Sequence, residues 1–196
     1  NRTSYKYTSL NFKEREITNS AMQNANFRKA LSHGINRSAY FSNEENSLIS
    51  SIVPENFITT KEKDYYSYFT EKYAQESNTS VEEAYQKLNS DPYFDIEKSH
   101  YYLNMALSEL KLTTDQLPIK LEYTYYYDES YKTYDLIRIE EWNKSLNGCL
   151  ENSPCSYDKV EIVLNEVVDS INDFNIAFMN KEYNLTFLGL YPDFTI

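Results

Sequence analysis

The sequence contains very little glycine, histidine or cysteine. Its 196 residues include three Gly, two His and two Cys. A phosphate-cradling or dinucleotide-binding loop needs several glycines within a few residues, so no such loop is expected. Neither His33 nor His100 stands at metal-ligand spacing from the cysteines, so a metal site is not expected either. No G-x-S-x-G or comparable nucleophile signature is present, which makes an enzyme a weak hypothesis.

Long apolar runs and an excess of positive charge are also missing. There is no run of about 18 apolar residues, so no transmembrane helix is expected, and no basic-then-apolar signal peptide is found in this sequence. The formal net charge of −11 opposes binding to nucleic acid phosphates and to anionic lipid. With 41% hydrophobic residues, the chain can still form one sizeable core. A single domain is therefore expected over residues 1–196.

The most informative stretch is residues 24–41, which read N-A-N-F-R-K-A-L-S-H-G-I-N-R-S-A-Y-F. Asn26 is the predicted N-cap of a helix, because its side-chain oxygen can accept a hydrogen bond from an amide of the first turn. After a joint at Ile35 and Asn36, a second helical piece is predicted to begin at Arg37. The residues at the i, i+3, i+4, i+7 spacing of a buried helix face are Phe27, Ala30, Leu31 and Gly34.

This stretch resembles the N-x-x-[VF]-R-x-A-[LI]-x-x-[AG]-I-[DN]-R signature of the extracytoplasmic solute-binding proteins of peptide ABC importers, the oligopeptide- and dipeptide-binding family. His33-Gly34 replace a commoner Tyr-Ala, and Asn36 replaces the usual Asp. The later run Y-F-D-I-E-K resembles the family's [FY]-D-P-E-K-A helix, with Ile96 at the Pro position. Trp142 resembles the Trp of the family's I-Q-x-x-W segment. The resemblance implies part of the C-terminal lobe of a larger, two-lobed protein.

The pattern of elements predicts an α/β fold with a parallel or mixed sheet flanked by helices. A strand is predicted at Tyr5–Phe12 and a helix at Asp95–Leu112, with Ile96, His100, Leu103, Leu107 and Leu110 on its apolar face. The last third alternates strand and helix, at residues 119–127, 129–146, 159–165, 167–179 and 185–190. In the second of these segments Leu136, Ile139, Trp142 and Leu146 are predicted to point inward. The resemblance implies one lobe of a type II periplasmic-binding-protein-like fold.

Residues 61–90 are interpreted as a helical insertion, because they look longer than the family's connection here. Ser80 and Glu83 form a predicted capping box for its second helix. The segment also carries a cluster of aromatic side chains, which either pack together or form an exposed surface, and packing is favoured. The cluster consists of Tyr65, Tyr66, Tyr68, Phe69 and Tyr73.

The closing run L-G-L-Y-P-D-F-T-I resembles the family's G-W-x-x-D-Y segment, with Asp193 at the Asp position and Leu190 at the Trp position. In peptide-binding members this Asp accepts hydrogen bonds from the ligand's α-ammonium. The resemblance therefore implies a peptide-binding site of Asp193, Leu190 and Tyr191. A carboxylate in a water-poor cleft binds an ammonium strongly, and main-chain pairing holds peptides without reading their side chains. The alternative is that Asp193 merely caps a turn after Pro192.

The resemblance implies a substrate-binding component of a peptide ABC importer, which captures extracellular oligopeptides and delivers them to permease subunits. It implies a monomer at the cell surface or in the periplasm, held to the membrane only through a lipid anchor outside this sequence. It implies neither catalysis nor a required cofactor or metal. Nickel complexes, haem and sugar oligomers remain open as ligands. A rival interpretation is a tyrosine-rich surface lipoprotein that serves as an adhesion or interaction module on the same scaffold.

Two cysteines, Cys149 and Cys155, stand close together in the loop-like run L-N-G-C-L-E-N-S-P-C-S. The extracytoplasmic location that the resemblance implies would permit a disulfide between them. Two unpaired thiols in a loop are the alternative.

Overall fold

The computed structural model describes residues 10–37, 55–91, 93–126, 129–149, 155–167 and 184–186, together with Ile176 and Met179. The elements in chain order are α1 (Phe12–Gln23), α2 (Ala25–Gly34), α3 (Tyr65–Ser77), α4 (Val81–Leu88), α5 (Ile96–Leu110), β1 (Ile119–Tyr126), α6 (Glu129–Asn147), β2 (Val160–Val167) and β3 (Leu185–Thr186).

Two capped helices open the described part of the chain. α1 begins with a capping box in which Asn11 and Glu14 each bond the other's main-chain N–H. α2 begins after Asn24, whose Oδ1 accepts a hydrogen bond from the N–H of Phe27 at 2.9 Å. The predicted N-cap Asn26 is therefore wrong, since the N-cap is Asn24, two residues earlier, and Asn26 lies inside α2.

Other predictions around these helices have mixed outcomes. Phe12, predicted at the end of a strand, is the first residue of α1, so the predicted strand is wrong at that residue. Residues 5–9 of the same strand lie outside the described residues. The second helical piece predicted from Arg37 also lies outside them, apart from Arg37 itself, which is not helical.

The predicted apolar face of α2 is confirmed, because all four of its members are buried. Gly34 lies where α2 meets both α5 and α6. A Cβ built on it would lie 2.5 Å from Leu146 Cδ2 and 2.5 Å from Ser99 Oγ. Ser99 in turn donates a 2.8 Å hydrogen bond to the carbonyl of Ala30. The absence of a side chain at Gly34 thus permits the close contact of three helices.

α3 and α4 form a helical hairpin within residues 61–90. The predicted capping box of Ser80 and Glu83 is confirmed at the start of α4. Tyr66 of α3 is buried, donates to Asn89 Oδ1 at 3.1 Å and meets the ring of Tyr85 edge-on. The other aromatics divide between the two predicted outcomes: Tyr65 and Tyr68 are exposed, and Phe69 and Tyr73 are half-buried. That residues 61–90 are an insertion stays a prediction.

The predicted helix after Asp95 is confirmed, and Asp95 caps it by accepting a bond from the N–H of Lys98. Its predicted apolar face is confirmed in part: Leu103 is buried and His100, Leu107 and Leu110 are half-buried, whereas Ile96 is 42% exposed. Two buried positions, Ser99 and Ala106, were not predicted. The small side chains Ser99 and Ala106 point at the neighbouring helices because they allow a close approach, which an apolar pattern does not indicate.

The described strands form a parallel sheet in the order β2-β1-β3. β1 pairs with β2 from Ile119 opposite Val160 and with β3 from Tyr123 opposite Leu185. Because α6 connects β1 to β2, this is the strand-helix-strand unit that the sequence predicted, and the α/β class is confirmed. The helix predicted over residues 167–179 is wrong at Val167, which is the last residue of β2, and its other described residues, Ile176 and Met179, are helical. Residues 187–190 of the last predicted strand lie outside the described part.

α6 follows its predicted bounds closely and packs on the sheet. Ile139, Trp142 and Leu146 are buried as predicted, but Leu136 is 47% exposed, so its predicted inward orientation is wrong. The buried stripe instead continues through Asp135 and Arg138, which bury a charge pair where the pattern suggested leucine.

Candidate functional site

The predicted peptide-binding residues Asp193, Leu190 and Tyr191 lie outside the described residues. The described element that precedes them is β3, which ends at Thr186. The role of these three residues therefore stays a prediction. The structure describes the edge of the sheet towards which β3 runs.

The candidate functional site is the edge of the sheet at which the parallel strands end. β1 ends at Tyr126 and β2 at Val167, and β3 runs in the same direction, so their carboxyl ends share one edge. In open parallel sheets, ligands bind in the crevice outside this edge. α6 begins at Glu129, two residues after β1, so its amino end lies at the same edge and contributes the positive end of the helix dipole.

Side-chain contacts fix how α6 lies along β2. Asn147 bonds to the main chain of Val160, where β2 begins, and Asn143, four residues earlier in α6, bonds to Ile162. Four helical residues rise about 6 Å and two strand residues about 6.6 Å, so the two elements run antiparallel in step. Residues still earlier in α6 therefore lie nearer the carboxyl edge of the sheet.

Asp135 and Arg138, one to two turns further towards that edge, form a buried ion pair. Arg138 donates to Asp135 Oδ1 at 2.8 Å, and their side chains are 10% and 4% exposed, respectively. Burial raises the pKa of Asp135, and the neighbouring Arg138 guanidinium opposes that rise. Such a pair adds little net stability but restricts the geometries that the surrounding segment can adopt. The sequence analysis missed it, although the i, i+3 spacing on the inward stripe of α6 was a readable signal.

Glu122 is a second buried acid that the sequence analysis missed. Its Oε1 accepts a 3.1 Å hydrogen bond from the N–H of Leu10, at the chain's approach to α1. The main-chain N–H of Glu122 donates to Asn184 Oδ1 at 2.9 Å, and the main-chain N–H of Asn184 donates to the carbonyl of Glu122 at 3.2 Å. Glu122 therefore joins the approach to α1, the centre of β1 and the residue just before β3.

The electrostatic environment of Glu122 favours its protonated form. Burial raises the pKa of Glu122, the Leu10 N–H and the charge of Arg15 lower it, and the nearby Glu14 raises it again. In the sequence, Glu122 alternates with Leu121 and Tyr123 and shares a face with Lys120 and Thr124, so strand alternation alone predicts a polar face there. Glu122 is buried because α1 covers that face, where Thr18 donates to the carbonyl of Lys120 at 2.7 Å.

A groove of about 740 Å³ lies at the opposite end of β1, between α1 and the chain that enters the strand. Lys120 and Glu14 pair across it at 2.9 Å. This pairing raises the pKa of Lys120 and lowers that of Glu14. Because the groove is at the amino edge of the sheet, it is separate from the candidate site.

Cys149 and Cys155 are joined by a disulfide in the structure, with their Cα atoms 5.5 Å apart. The bridge closes part of the connection between α6 and β2, at the amino edge of the sheet. Within the described ranges, no group of three or more His, Cys, Asp and Glu side chains could hold a metal ion. No helix in that part of the chain is long and apolar enough to cross a membrane.

Both histidines link separate elements through main-chain carbonyls. His33 Nδ1 hydrogen-bonds the carbonyl of Tyr93 at 2.6 Å, and its ring stacks on Tyr102 with centroids 5.8 Å apart. His100 Nε2 hydrogen-bonds the carbonyl of Ser145 at 2.8 Å. For His100, this contact agrees with its predicted place on the apolar face of α5, where a hydrogen-bonded structural histidine is expected.

Comparison with known proteins finds similarity to oligopeptide-binding proteins. No family model matches the chain. Oligopeptide-binding protein AliB from two strains of Streptococcus pneumoniae is 27% identical over 207 residues, a match that covers 98% of this chain. The chain spans about 30% of the length of these curated relatives.

Solved structures of similar fold include peptide-binding proteins. The peptide-binding protein of a peptide ABC transporter has a TM-score of 0.55 at 17% identity, covering 97% of this chain and 67% of the other. Listeria monocytogenes OppA bound to peptide gives 0.54 at 19% identity, with 88% and 28% covered. The pheromone receptor PrgZ gives 0.50 at 20% identity, with 84% and 26% covered.

These relatives are named as peptide-binding proteins and not as enzymes, and they lend no support to the adhesion alternative. The likeness to the solved structures confirms the type II periplasmic-binding fold. The resemblance indicated by the helix motifs is confirmed as well: this chain is similar in sequence to an oligopeptide-binding protein and similar in fold to the peptide-binding protein of a peptide ABC transporter.

Proposed function

We propose that this chain forms part of the substrate-binding component of a peptide ABC importer, which captures extracellular oligopeptides for delivery to a membrane permease. The observation that carries the proposal is the 27% identity to an oligopeptide-binding protein along 98% of the chain. The fold shared with peptide-binding proteins supports it, and the family that the motifs resemble binds its ligand between two lobes.

Within that protein, the chain is part of the C-terminal lobe, and residues 61–90 are an insertion into it. The order of the motifs supports this assignment, as does the chain's span of about 30% of its curated relatives. One lobe presents only one wall of a two-lobed cleft. High affinity for peptides is therefore a property of the full-length protein.

The ligand's α-ammonium binds Asp193, and Leu190 and Tyr191 contribute to the same wall. Asp193 follows β3 by seven residues, and β3 is parallel to strands whose carboxyl ends form the candidate site. A carboxylate at such an edge forms charge-assisted hydrogen bonds with an ammonium, while main-chain pairing holds the rest of an extended peptide. No catalytic group, cofactor or metal takes part.

The intact protein acts outside the cytoplasm as a monomer, anchored through lipid beyond this sequence, and its partners are the permease subunits. The names of the relatives support the transport role. The net charge of −11 disfavours nucleic acid as a partner.

Calorimetry on the full-length protein tests the site. Asp193→Ala should weaken binding of an oligopeptide about 10- to 100-fold, as expected for the loss of a charged hydrogen-bond partner. The matched control is Asp158→Ala, which removes an exposed carboxylate just before β2, at the opposite edge of the sheet. Unchanged affinity in Asp193→Ala would remove this residue from the site.

A second arm identifies the ligand group that Asp193 contacts. Acetylating the peptide's amino terminus removes the α-ammonium, so it should weaken binding to the wild type but hardly alter binding to Asp193→Ala. Equal losses in both proteins would contradict the contact. Native mass spectrometry of full-length protein then distinguishes a co-purifying peptide from a nickel complex, haem or a sugar oligomer.

A further inference from the structure

β2 is an outer strand of the described sheet, because the strand order is β2-β1-β3. The N–H of Ile119 in β1 donates to the carbonyl of Lys159 at 2.9 Å. This bond shows which backbone groups of β2 face β1, beginning with Lys159. In a parallel ladder the backbone groups of alternate residues point to opposite sides. Those of Val160 and Ile162 therefore point outward, and within the described residues no strand lies beyond them.

Two asparagines of α6 occupy these outward groups. Asn143 donates through Nδ2 to the carbonyl of Ile162 at 3.0 Å and accepts through Oδ1 from its N–H at 2.7 Å. Asn147 donates to the carbonyl of Val160 at 2.7 Å and accepts from the N–H groups of Lys159 and Val160 at 2.9 and 3.2 Å. Asn143 is itself buried, so its two bonds are shielded from water, whereas Asn147 is half-buried.

The arrangement at Ile162 copies strand pairing. In an antiparallel sheet, two residues of a hydrogen-bonded pair exchange both N–H···O bonds. The carboxamide of Asn143 gives Ile162 one donor and one acceptor, as such a partner residue would. The helix thus supplies with side chains what an added strand would supply with its backbone.

The strand that is covered in this way is prone to pairing. Its run V-E-I-V-L at residues 160–164 combines high β-propensity, high hydrophobicity and a single charge, the composition typical of segments that associate when exposed. Proteins protect outer strands with charges, bulges or a covering element, because an open row of backbone groups templates another strand. In β2 the covering element is α6.

We propose that Asn143 and Asn147 form an edge seal, which prevents β2 from pairing with β2 of a second copy of this chain. Two copies of the same outer strand can meet about a two-fold axis, since antiparallel pairing of identical strands is self-complementary. The seal keeps this surface unavailable and the protein monomeric. The seal belongs to the sheet alone, so it does not depend on which ligand the protein binds.

Hydrogen exchange followed by NMR tests the seal directly. In the wild-type chain the Ile162 amide should be protected although it faces away from β1. Asn143→Ala should accelerate its exchange by about fivefold to tenfold or more, as expected for one lost hydrogen bond. The Val163 amide, which by alternation faces β1, should be unaffected. An unprotected Ile162 amide in the wild type, or one that Asn143→Ala leaves unchanged, would overturn the proposal.

Sedimentation tests the partner. The double variant Asn143→Ala/Asn147→Ala should form dimers with rising concentration, whereas the wild type and the control Asn104→Ala, at an exposed position of α5, should stay monomeric. If the double variant does not fold, Asn147→Ala alone applies the same test at a half-buried position. A folded variant with exposed β2 amides that stays monomeric would overturn the proposal. So would β2 amides that become protected only when an extended peptide is added.

Discussion

Replacing Gly34 by alanine probes how closely α2 lies against α5 and α6. The signature of the family that this chain resembles accepts Ala or Gly at position 34 and has Ala at position 99. This chain has the smaller residue, Gly, at position 34 and a larger residue, Ser, at position 99. In the structure the missing Cβ of Gly34 would lie 2.5 Å from Ser99 Oγ and 2.5 Å from Leu146 Cδ2. Contacts between such atoms are comfortable only near about 3.5 Å.

The expected free energies follow from these contacts. Gly34→Ala should destabilise the fold by about 1–3 kcal/mol through overpacking, offset in part by the better helix propensity of Ala. Ser99→Ala should cost about 1 kcal/mol, because it removes the hydrogen bond to the Ala30 carbonyl. In the double variant the Oγ is gone and only the Leu146 contact remains. The double variant should therefore be more stable than the sum of the two single effects by about 1 kcal/mol.

Urea unfolding of the chain and its three variants measures this coupling. The fluorescence of Trp142 is a suitable probe, because it is the single Trp of the sequence and its ring packs edge-on against Tyr123 with centroids 5.7 Å apart. Effects that add within about 0.5 kcal/mol would refute the reasoning. A stabilising Gly34→Ala would refute it more directly, since that would show the three helices to be further apart than they are here.

The remaining predictions concern Glu122 and the disulfide. Burial raises the pKa of Glu122 above its ordinary 4.5, so the stability that it contributes is fully present below that pH and is lost as the pH rises through the raised value. Glu122→Gln keeps an acceptor for the Leu10 N–H, so urea unfolding measured across pH should show a smaller decline in the free energy of unfolding than in the wild type. The decline that remains includes the separate contribution of Asp135, whose pKa is also raised by burial. Equal declines in the variant and the wild type would contradict this expectation. Reducing the Cys149–Cys155 bridge, which spans six residues, should lower the free energy of unfolding by about 2 kcal/mol. The double alanine variant should be insensitive to reductant, and equal sensitivity would assign the effect elsewhere.

Local chemistry accounts for what the sequence predicted well. In the Ser80–Glu83 capping box and the Asp95 cap, a side chain bonds to the main chain three residues away, so these caps form wherever the helix forms. The bounds of α6 and the start of β2 follow in the same way from periodicity and from the glycine and cysteines between them. The α/β class then follows from the order of the elements.

Tertiary contacts account for what the sequence did not predict. Asn24 and Asn26 are both good capping residues, and local sequence cannot choose between them. The side-chain nitrogens of both donate to Glu109 of α5, each at 2.8 Å. This leaves Asn24 Oδ1 directed at the Phe27 N–H, so a residue more than eighty positions away accompanies the earlier start of α2.

Buried charge was the larger omission at the candidate site. Alternation placed Glu122 on a polar face, and helical spacing gave the inward stripe to Leu136, yet Glu122 and Arg138 are buried and Leu136 is half exposed. Hydrophobic patterns rank positions by the cost of leaving them in water. They do not predict a buried acid, because its desolvation free energy is offset by a main-chain N–H or a guanidinium group that another part of the fold supplies.

α6 joins two features of the described part of the chain. Its carboxyl half holds the outer groups of β2 through Asn143 and Asn147, and its amino half carries the Asp135–Arg138 pair to the carboxyl edge. A helix of 19 residues is a rod of about 28 Å. Displacement of α6 at Asn143 and Asn147 would therefore also move the ion pair at its other end, so the edge seal and the Asp135–Arg138 pair should respond together when Asn143 is replaced.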